Sequence, residues 1–305
     1  MNRMQWRGEQ IVGATVAIGI FDGVHFGHQA ILNRAKEISN GNGVIALTFD
    51  PHPMQFFAPD RAPTMLLSPQ RRVELLKECG ADAVVVCEFD SKFAKLSPED
   101  FVSEILVRYL KISAVVVGEN FTYGDKAAGK VQHLIEAGKV NDFLAEEVSL
   151  KEFEGGVISS TRIRKFLQAG DVESAARLLS RPHRLEGIIV HGEKRGRELG
   201  YPTANLGYSA ASNTVPSDGI YAGWLTVEGS RWPSAISIGT NPTFPGERSA
   251  QVEAYALDQV GLDLYDKDAT IDFASKIRDT VKFDGAQPLI TQMKIDCDQA
   301  RKLLS

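Results

Sequence analysis

Asp22, Gly23, His25, Gly27 and His28 crowd into one short stretch, AIGIFDGVHFGHQAIL (residues 17–32), where an apolar run gives way to an amphipathic one. Glycine lets backbone amides approach a ligand with no Cβ in the way. The unpaired amides and positive end of a helix start favour phosphate there. Two imidazoles three residues apart add donors to a phosphate whose charge grows during displacement, which points to nucleotide chemistry. Two other readings stay open. The histidines could be half-buried caps of the turn, or Asp22, His25, His28, Asp50 and His52 could supply hard and borderline ligands to a metal. The glycine turn serves an anion and has no necessary role for a metal.

A second candidate lies in ISSTRIRKFL (158–167), where Ser160 and Thr161 open a helix and Arg162 and Arg164 occupy its first turns. Basic side chains there oppose the helix dipole, so a bound anion such as a triphosphate would supply the missing charge. A solvated basic face is the alternative. A third is HGEKRGRELGYPTANL (191–206), with Gly192, Gly196 and Gly200 every fourth residue and Lys194, Arg195 and Arg197 between them. Thr203 and Asn205 offer neutral oxygens suited to a Mg2+ ion that keeps several waters. Taken alone, the pattern also fits a solvated hairpin.

The elements that must hold these residues change character along the chain. Up to about residue 159, TVAIGIF, GVIALTF, DAVVVCEF and SAVVVG read as buried strands. They alternate with helical spacing at Ile31, Ala35 and Ile38 and at Phe101, Ile105 and Tyr109. This predicts βαβ units in an α/β, doubly wound open sheet, which puts FDGVHFGH at the end of the first strand, where such sheets bind ligands. SPQRRVELL and SPEDFVSEIL each offer a serine cap followed by proline. Two short capped helices follow, SSTRIRKFLQAG and DVESAARLLS. From RPHRLEG onward, short β-rich runs separated by Gly, Pro, Asn and Asp predict a small barrel or sandwich. Leu289, Met293, Cys297, Ala300 and Leu304 share a helical face that should pack on it. The boundary is expected near residues 180–185, giving domains 1–182 and 183–305.

At 305 residues, two domains can each bury a core. A net charge of −5 argues against broad nucleic-acid binding. Cys79, Cys87 and Cys297 show neither metal nor disulfide spacing. No leader-like or membrane-length apolar run is evident. A cytoplasmic protein with small-molecule partners is expected, without nucleic acid or membrane. A homo-oligomer is left open.

GIFDGVHFGHQ, TFDPHP, VVVGENFTYGDKAAG and ISSTRIRKFL resemble the adenylyltransferase half of the prokaryotic bifunctional riboflavin kinase/FAD synthetase family. GYPTANL, DGIYAGW, SIGTNPTF and VEAYALD are similar to its riboflavin kinase module. The resemblance implies a Rossmann-like nucleotidyltransferase domain followed by a small β-barrel with a terminal helix. It implies ATP and Mg2+ at both sites, with riboflavin, FMN and FAD as substrates and products. His25 and His28 would be catalytic, binding ATP phosphates. Gly19, Phe21, Asp22, Gly23, Gly27, Asn120, Ser160, Thr161 and Arg164 would complete the nucleotide site, and Asp50, Pro51, His52 and Pro53 would meet substrate. In the second half, Glu253 would be the base for the ribityl 5′-hydroxyl, and Gly192, Gly196 and Gly200 would cover the nucleotide. Thr203 and Asn205 would take Mg-ATP, and Arg278 would lie near flavin or nucleotide. Many members carry arginine where this chain has Thr122 and histidine where it has Tyr255. The rival readings are a nucleotidyltransferase for another acceptor and a non-catalytic flavin or nucleotide sensor.

Overall fold

The computed structural model describes residues 4–192, 199–209, 214–240 and 250–305. Gly196, with Lys194, Arg195 and Arg197, lies outside the described residues. The chain divides into two compact units, Met1–Pro63 with Pro69–Ser159 and Thr64–Ser68 with Ser160–Ser305.

The first unit is built on β1 (Met4–Arg7), β2 (Thr15–Ile18), β3 (Val44–Asp50), β4 (Ala83–Glu88), β5 (Ala114–Gly118) and, after the short hairpin of β6 (Thr122–Tyr123) and β7 (Gly129–Lys130), β8 (Leu144–Val148). Its helices are α1 (Phe26–Ile38), α2 (Pro53–Phe57), α3 (Pro69–Glu78), α4 (Pro98–Asp100), which continues into a π-helical stretch, Phe101–Tyr109, and α5 (Val131–Asn141). A two-stranded ribbon of β9 (Glu152–Phe153) and β10 (Gly156–Val157) closes the unit. The six-stranded sheet has the order β1-β4-β3-β2-β5-β8. β1 is antiparallel to β4 and every other pairing is parallel.

The parallel strands therefore run outward in both directions from β2, and the order reverses between β2 and β5. With right-handed crossovers this makes a doubly wound sheet whose ligand crevice lies at the carboxyl ends of those two strands. β2 and β3 are almost continuously buried, as central parallel strands covered on both faces require. Val16, Ile18, Ile45, Leu47, Val85 and Val115 form the heart of this core.

β2 ends three residues earlier than TVAIGIF suggests. Gly19, Ile20 and Phe21 belong to the turn, and Phe21 takes φ +53°. The edge strands β1 and β8 have no strong apolar signal in the sequence. Four-residue β1 and glutamate-bearing β8 show the short, charged character expected at sheet edges.

The second unit opens with α6 (Ser160–Ala169) and α7 (Val172–Leu179), the latter capped by Asp171, whose carboxylate accepts from the Ser174 N–H at 2.9 Å. The strands are β11 (His183–Val190), β12 (Ala204–Gly207), β13 (Gly219–Val227), β14 (Ser230–Thr240), β15 (Ala250–Ala256) and β16 (Asp268–Arg278). They close into an antiparallel barrel of order β11-β12-β15-β14-β13-β16, with β11 pairing β16. Helix α8 (Ala286–Leu304) lays Cys297 and Ala300 against Ala222 and Leu257, the packing its periodicity predicts. Glu173 of α7 accepts from the Ser275 hydroxyl and from the Lys276 N–H, so the 160–179 helices pack with the barrel.

Candidate active sites

Helix α1 starts directly after the switch-point turn. His25 is its N-cap, and its Nδ1 accepts from the His28 backbone N–H at 3.3 Å. An accepting Nδ1 puts the proton of the neutral ring on Nε2, the tautomer with a donor on the other side. The His25 and His28 rings stack with centroids 3.6 Å apart and 14° between planes. Phe21 meets His28 edge-on at 5.3 Å. Gly27 makes room for the pair, because a Cβ there would stand 3.3 Å from the His25 ring. The cap fixes one ring, and the second ring stacks on it.

The turn itself places Gly19, Phe21, Asp22 and Gly23, with Gly23 at φ +89°, a left-handed conformation that glycine adopts without strain. Asp22 is buried within it. At the end of neighbouring β3 come Asp50, a cis peptide to Pro51, and His52, whose Nδ1 accepts from the Met54 N–H at 3.1 Å to cap α2 at Pro53. Asn120 follows β5. The structure thus brings these residues to the carboxyl end of one sheet, on β2, β3 and β5. Among the described residues no group of three or more His, Cys, Asp or Glu side chains could hold a metal ion.

Sequence reading misses Arg72. It lies on the buried face of α3 with Leu75 and Leu76 and is 1% exposed. Its guanidinium donates to the Phe49 carbonyl at 3.0 Å and to the Ile20 carbonyl at 3.3 Å, with Asp50 3.7 Å away. Burial pushes its pKa down, while Asp50 and then Asp22 pull it up. The available signal is a basic residue in phase with an apolar helical face.

Ser160, Thr161 and Arg164 fall on α6, in the second unit. Arg164 is turned inward, its Nε donating to the Thr64 carbonyl at 2.6 Å, and Arg162 lies over the Phe166 ring at 5.4 Å.

In the barrel, Thr203 donates to the Glu253 carboxylate at 2.9 Å, and Asn205 faces Glu253 across the β12–β15 pair. A Cβ on Gly192 would collide with the Asn205 amide nitrogen, so a larger residue there would have to displace that side chain. Gly200 takes φ +85° in the loop before Thr203. A cavity of about 300 Å³ opens beside these residues, lined by Thr203, Glu253, Tyr255, Arg278, Phe283 and Asp296 among others. That is the lower end of the range for small-molecule pockets. Arg278 makes a two-pronged bridge to Asp296 of α8, at 2.8 and 2.6 Å, and Gln292 donates to the same carboxylate. Asp296 is buried, a pocket residue that sequence reading also misses. Tyr255 packs edge-on against Tyr201, and burial pushes its phenol pKa up. Burial likewise pushes the Cys297 thiol on the pocket wall up to about 11, so at neutral pH it is a packing group rather than a nucleophile.

The fold and these two sites define a nucleotidyltransferase-like α/β domain followed by a six-stranded barrel of the riboflavin kinase type. Residues 8–162 match the FAD synthetase family model and residues 179–304 the riboflavin kinase family model. A bifunctional riboflavin kinase/FMN adenylyltransferase of Pseudomonas fluorescens is 37% identical over 95% of this chain and 93% of its own length. The protein of the same name from Escherichia coli K12 is 36% identical over 95% and 92%. A crystal structure described as a macrolide-efflux protein from Streptococcus pneumoniae is 30% identical, covers 97% of this chain and 96% of its own, and superposes with a TM-score of 0.86. The chain belongs to the bifunctional riboflavin kinase/FMN adenylyltransferase family, with an N-terminal FAD synthetase domain and a C-terminal riboflavin kinase domain.

Proposed function

We propose that the two activities of the family are divided here between residues 1–182, which adenylylate FMN to FAD, and residues 183–305, which phosphorylate riboflavin to FMN. In the first reaction a phosphate oxygen of FMN attacks the α-phosphorus of ATP, and the bond to the departing pyrophosphate breaks. His25 and His28, with the amides that open α1, hold the phosphates and offset the charge that builds up on them. Gly19, Phe21, Asp22, Gly23 and Gly27 shape the nucleotide cradle, with Asn120, Ser160, Thr161 and Arg164 as further nucleotide contacts. Asp50, Pro51, His52 and Pro53 meet the flavin substrate. The single observation that carries this reading is the stacked histidine pair at the switch point.

In the second reaction Glu253 accepts the proton of the ribityl 5′-hydroxyl as its oxygen attacks the γ-phosphorus of a second ATP and ADP leaves. Positioning and charge neutralisation carry most of such a transfer. The Thr203 hydroxyl fixes the carboxylate. Thr203 and Asn205 offer neutral oxygens beside the Glu253 carboxylate, which fits a Mg2+ ion that arrives with ATP and keeps its waters. When bound, the ion would neutralise phosphate charge. Gly192, Gly196 and Gly200 belong to the nucleotide cover, and Arg278 borders the flavin cavity. The protein works as a cytoplasmic enzyme on small molecules, without nucleic acid. Among the described residues no helix is long and apolar enough to cross a membrane, and the efflux description of the streptococcal structure is not carried over.

Incubation with FMN and ATP tests the first half directly. Equal amounts of FAD and pyrophosphate are expected. Retention of FMN without product would favour a flavin sensor, and AMP transfer to an acceptor other than FMN would favour a different nucleotidyltransferase.

A further inference from the structure

Arg72 is a cation held almost dry, and its surroundings do not repay that burial in stability. A buried charge brings little net stability even when paired, and its Asp50 partner is 3.7 Å away and half-exposed. Its Nε–H is buried with no hydrogen-bond acceptor among the described residues, and an orphaned donor is a cost. A leucine or methionine on this face of α3 would pack beside Leu75 and Leu76 without either penalty.

What only a guanidinium does here is bridge two strand ends. One nitrogen reaches the Phe49 carbonyl near the end of β3 and another the Ile20 carbonyl just beyond β2, where the Thr48 hydroxyl also donates at 2.9 Å. The peptide after the Ile20 carbonyl leads into Phe21, a non-glycine residue at φ +53°, a conformation that persists only when its surroundings hold it. Phe21 in turn rests edge-on against His28.

We infer that Arg72 is a positioning residue for adenylyl transfer, holding the Ile20–Phe21 peptide so that Phe21 fixes the His28 ring in its stack on His25. This rests on the adenylyltransferase reading above. Arg72 does not touch the reacting atoms.

The test uses the full chain, with riboflavin phosphorylation by the same preparation as an internal standard. Arg72→Met is expected to lower kcat for FAD formation by about 30-fold, with KM for ATP within about threefold, because a misplaced catalytic group costs rate more than binding. NMR of 13C-labelled histidine, with His28→Gln identifying the signal, is expected to show the His28 resonance displaced. Arg72→Lys keeps the charge but offers a point donor in place of a fork, so it should recover part of the lost kcat and leave the His28 resonance intermediate. Wild-type kcat together with an unmoved His28 resonance in Arg72→Met overturns the proposal. So does a loss confined to KM. If Arg72→Met does not fold, Arg72→Lys decides: a reduced kcat with a displaced His28 resonance supports the proposal, and wild-type values for both overturn it. If the wild-type chain itself makes no FAD, the adenylyltransferase reading fails, and the His28 resonance alone decides whether Arg72 sets that ring.

Discussion

The role proposed for Glu253 rests on its context. On β15 a glutamate facing solvent would need no explanation, yet here the Thr203 hydroxyl holds its carboxylate at the edge of an apolar-walled cavity. Glu253→Gln keeps the shape and removes the base, so kcat for FMN formation should fall by about 10²–10⁴-fold. KM for ATP should change little, as read from initial rates by flavin chromatography. A loss of less than about threefold would remove Glu253 from the role of base. The histidine pair was legible because two imidazoles three residues apart stand out at a strand-to-helix turn, whereas Glu253 was singled out only through the resemblance of VEAYALD to the riboflavin kinase module. Arg72 and Asp296 were not. Each is a lone charge in phase with apolar helical neighbours, Leu75 and Leu76 in one case and Cys297 and Ala300 in the other. The sequence does not reveal that its counter-charge comes from another element, Asp50 from β3 or Arg278 from β16.

The join between β2 and α1 is where element geometry becomes chemistry. Gly27 is the second residue of α1, where alanine would be favoured by at most about 1 kcal/mol, the helix-interior preference. Against that, the new Cβ would press on the His25 ring from 3.3 Å. The two effects act on different observables. Gly27→Ala is expected to change the urea midpoint of the first unit little, while lowering kcat for FAD formation by about tenfold through displacement of the ring pair. Unchanged kcat would show that the stack does not need this clearance. Most elements were readable because buried parallel strands such as Ala114–Gly118 are continuous apolar runs and amphipathic α8 keeps a helical period. The edges β1 and β8 were not, since their pairing comes from β4 and β5 rather than from their own residues. The π-helical run after Pro98 was also hidden, because Phe101, Ile105 and Tyr109 satisfy an ordinary helical spacing.

At the scale of the whole molecule, the two units can be interrogated separately, by stability and by activity. His183 in the barrel is buried, donates from Nε2 to the Thr214 carbonyl at 2.7 Å, and is pushed by burial down to about 4. An unfolded histidine titrates near about 6.5. As pH falls, the unfolded chain therefore takes up this proton first. The stabilisation is complete above about 6.5 and is lost progressively toward 4, by about 3 kcal/mol in all. Urea midpoints followed by barrel tryptophan fluorescence should drop over that window in the wild type and much less in His183→Gln. Equal drops would assign the pH dependence to other groups. The division into an α/β half and a barrel was legible from the change of period near residue 159. That α6 and α7 pack with the barrel was not, because the Glu173 contacts to Ser275 and Lys276 span more than a hundred residues of sequence. The central claim is that one chain carries two separable transfers. The measurement that tests it most directly is a flavin chromatogram after incubation with riboflavin, ATP and Mg2+, run on the wild type, on His28→Ala and, with FMN supplied, on Glu253→Gln. The wild type should convert riboflavin through FMN to FAD, His28→Ala should stop at FMN, and Glu253→Gln should still turn supplied FMN into FAD. Loss of both products in either folded variant would contradict two independent sites.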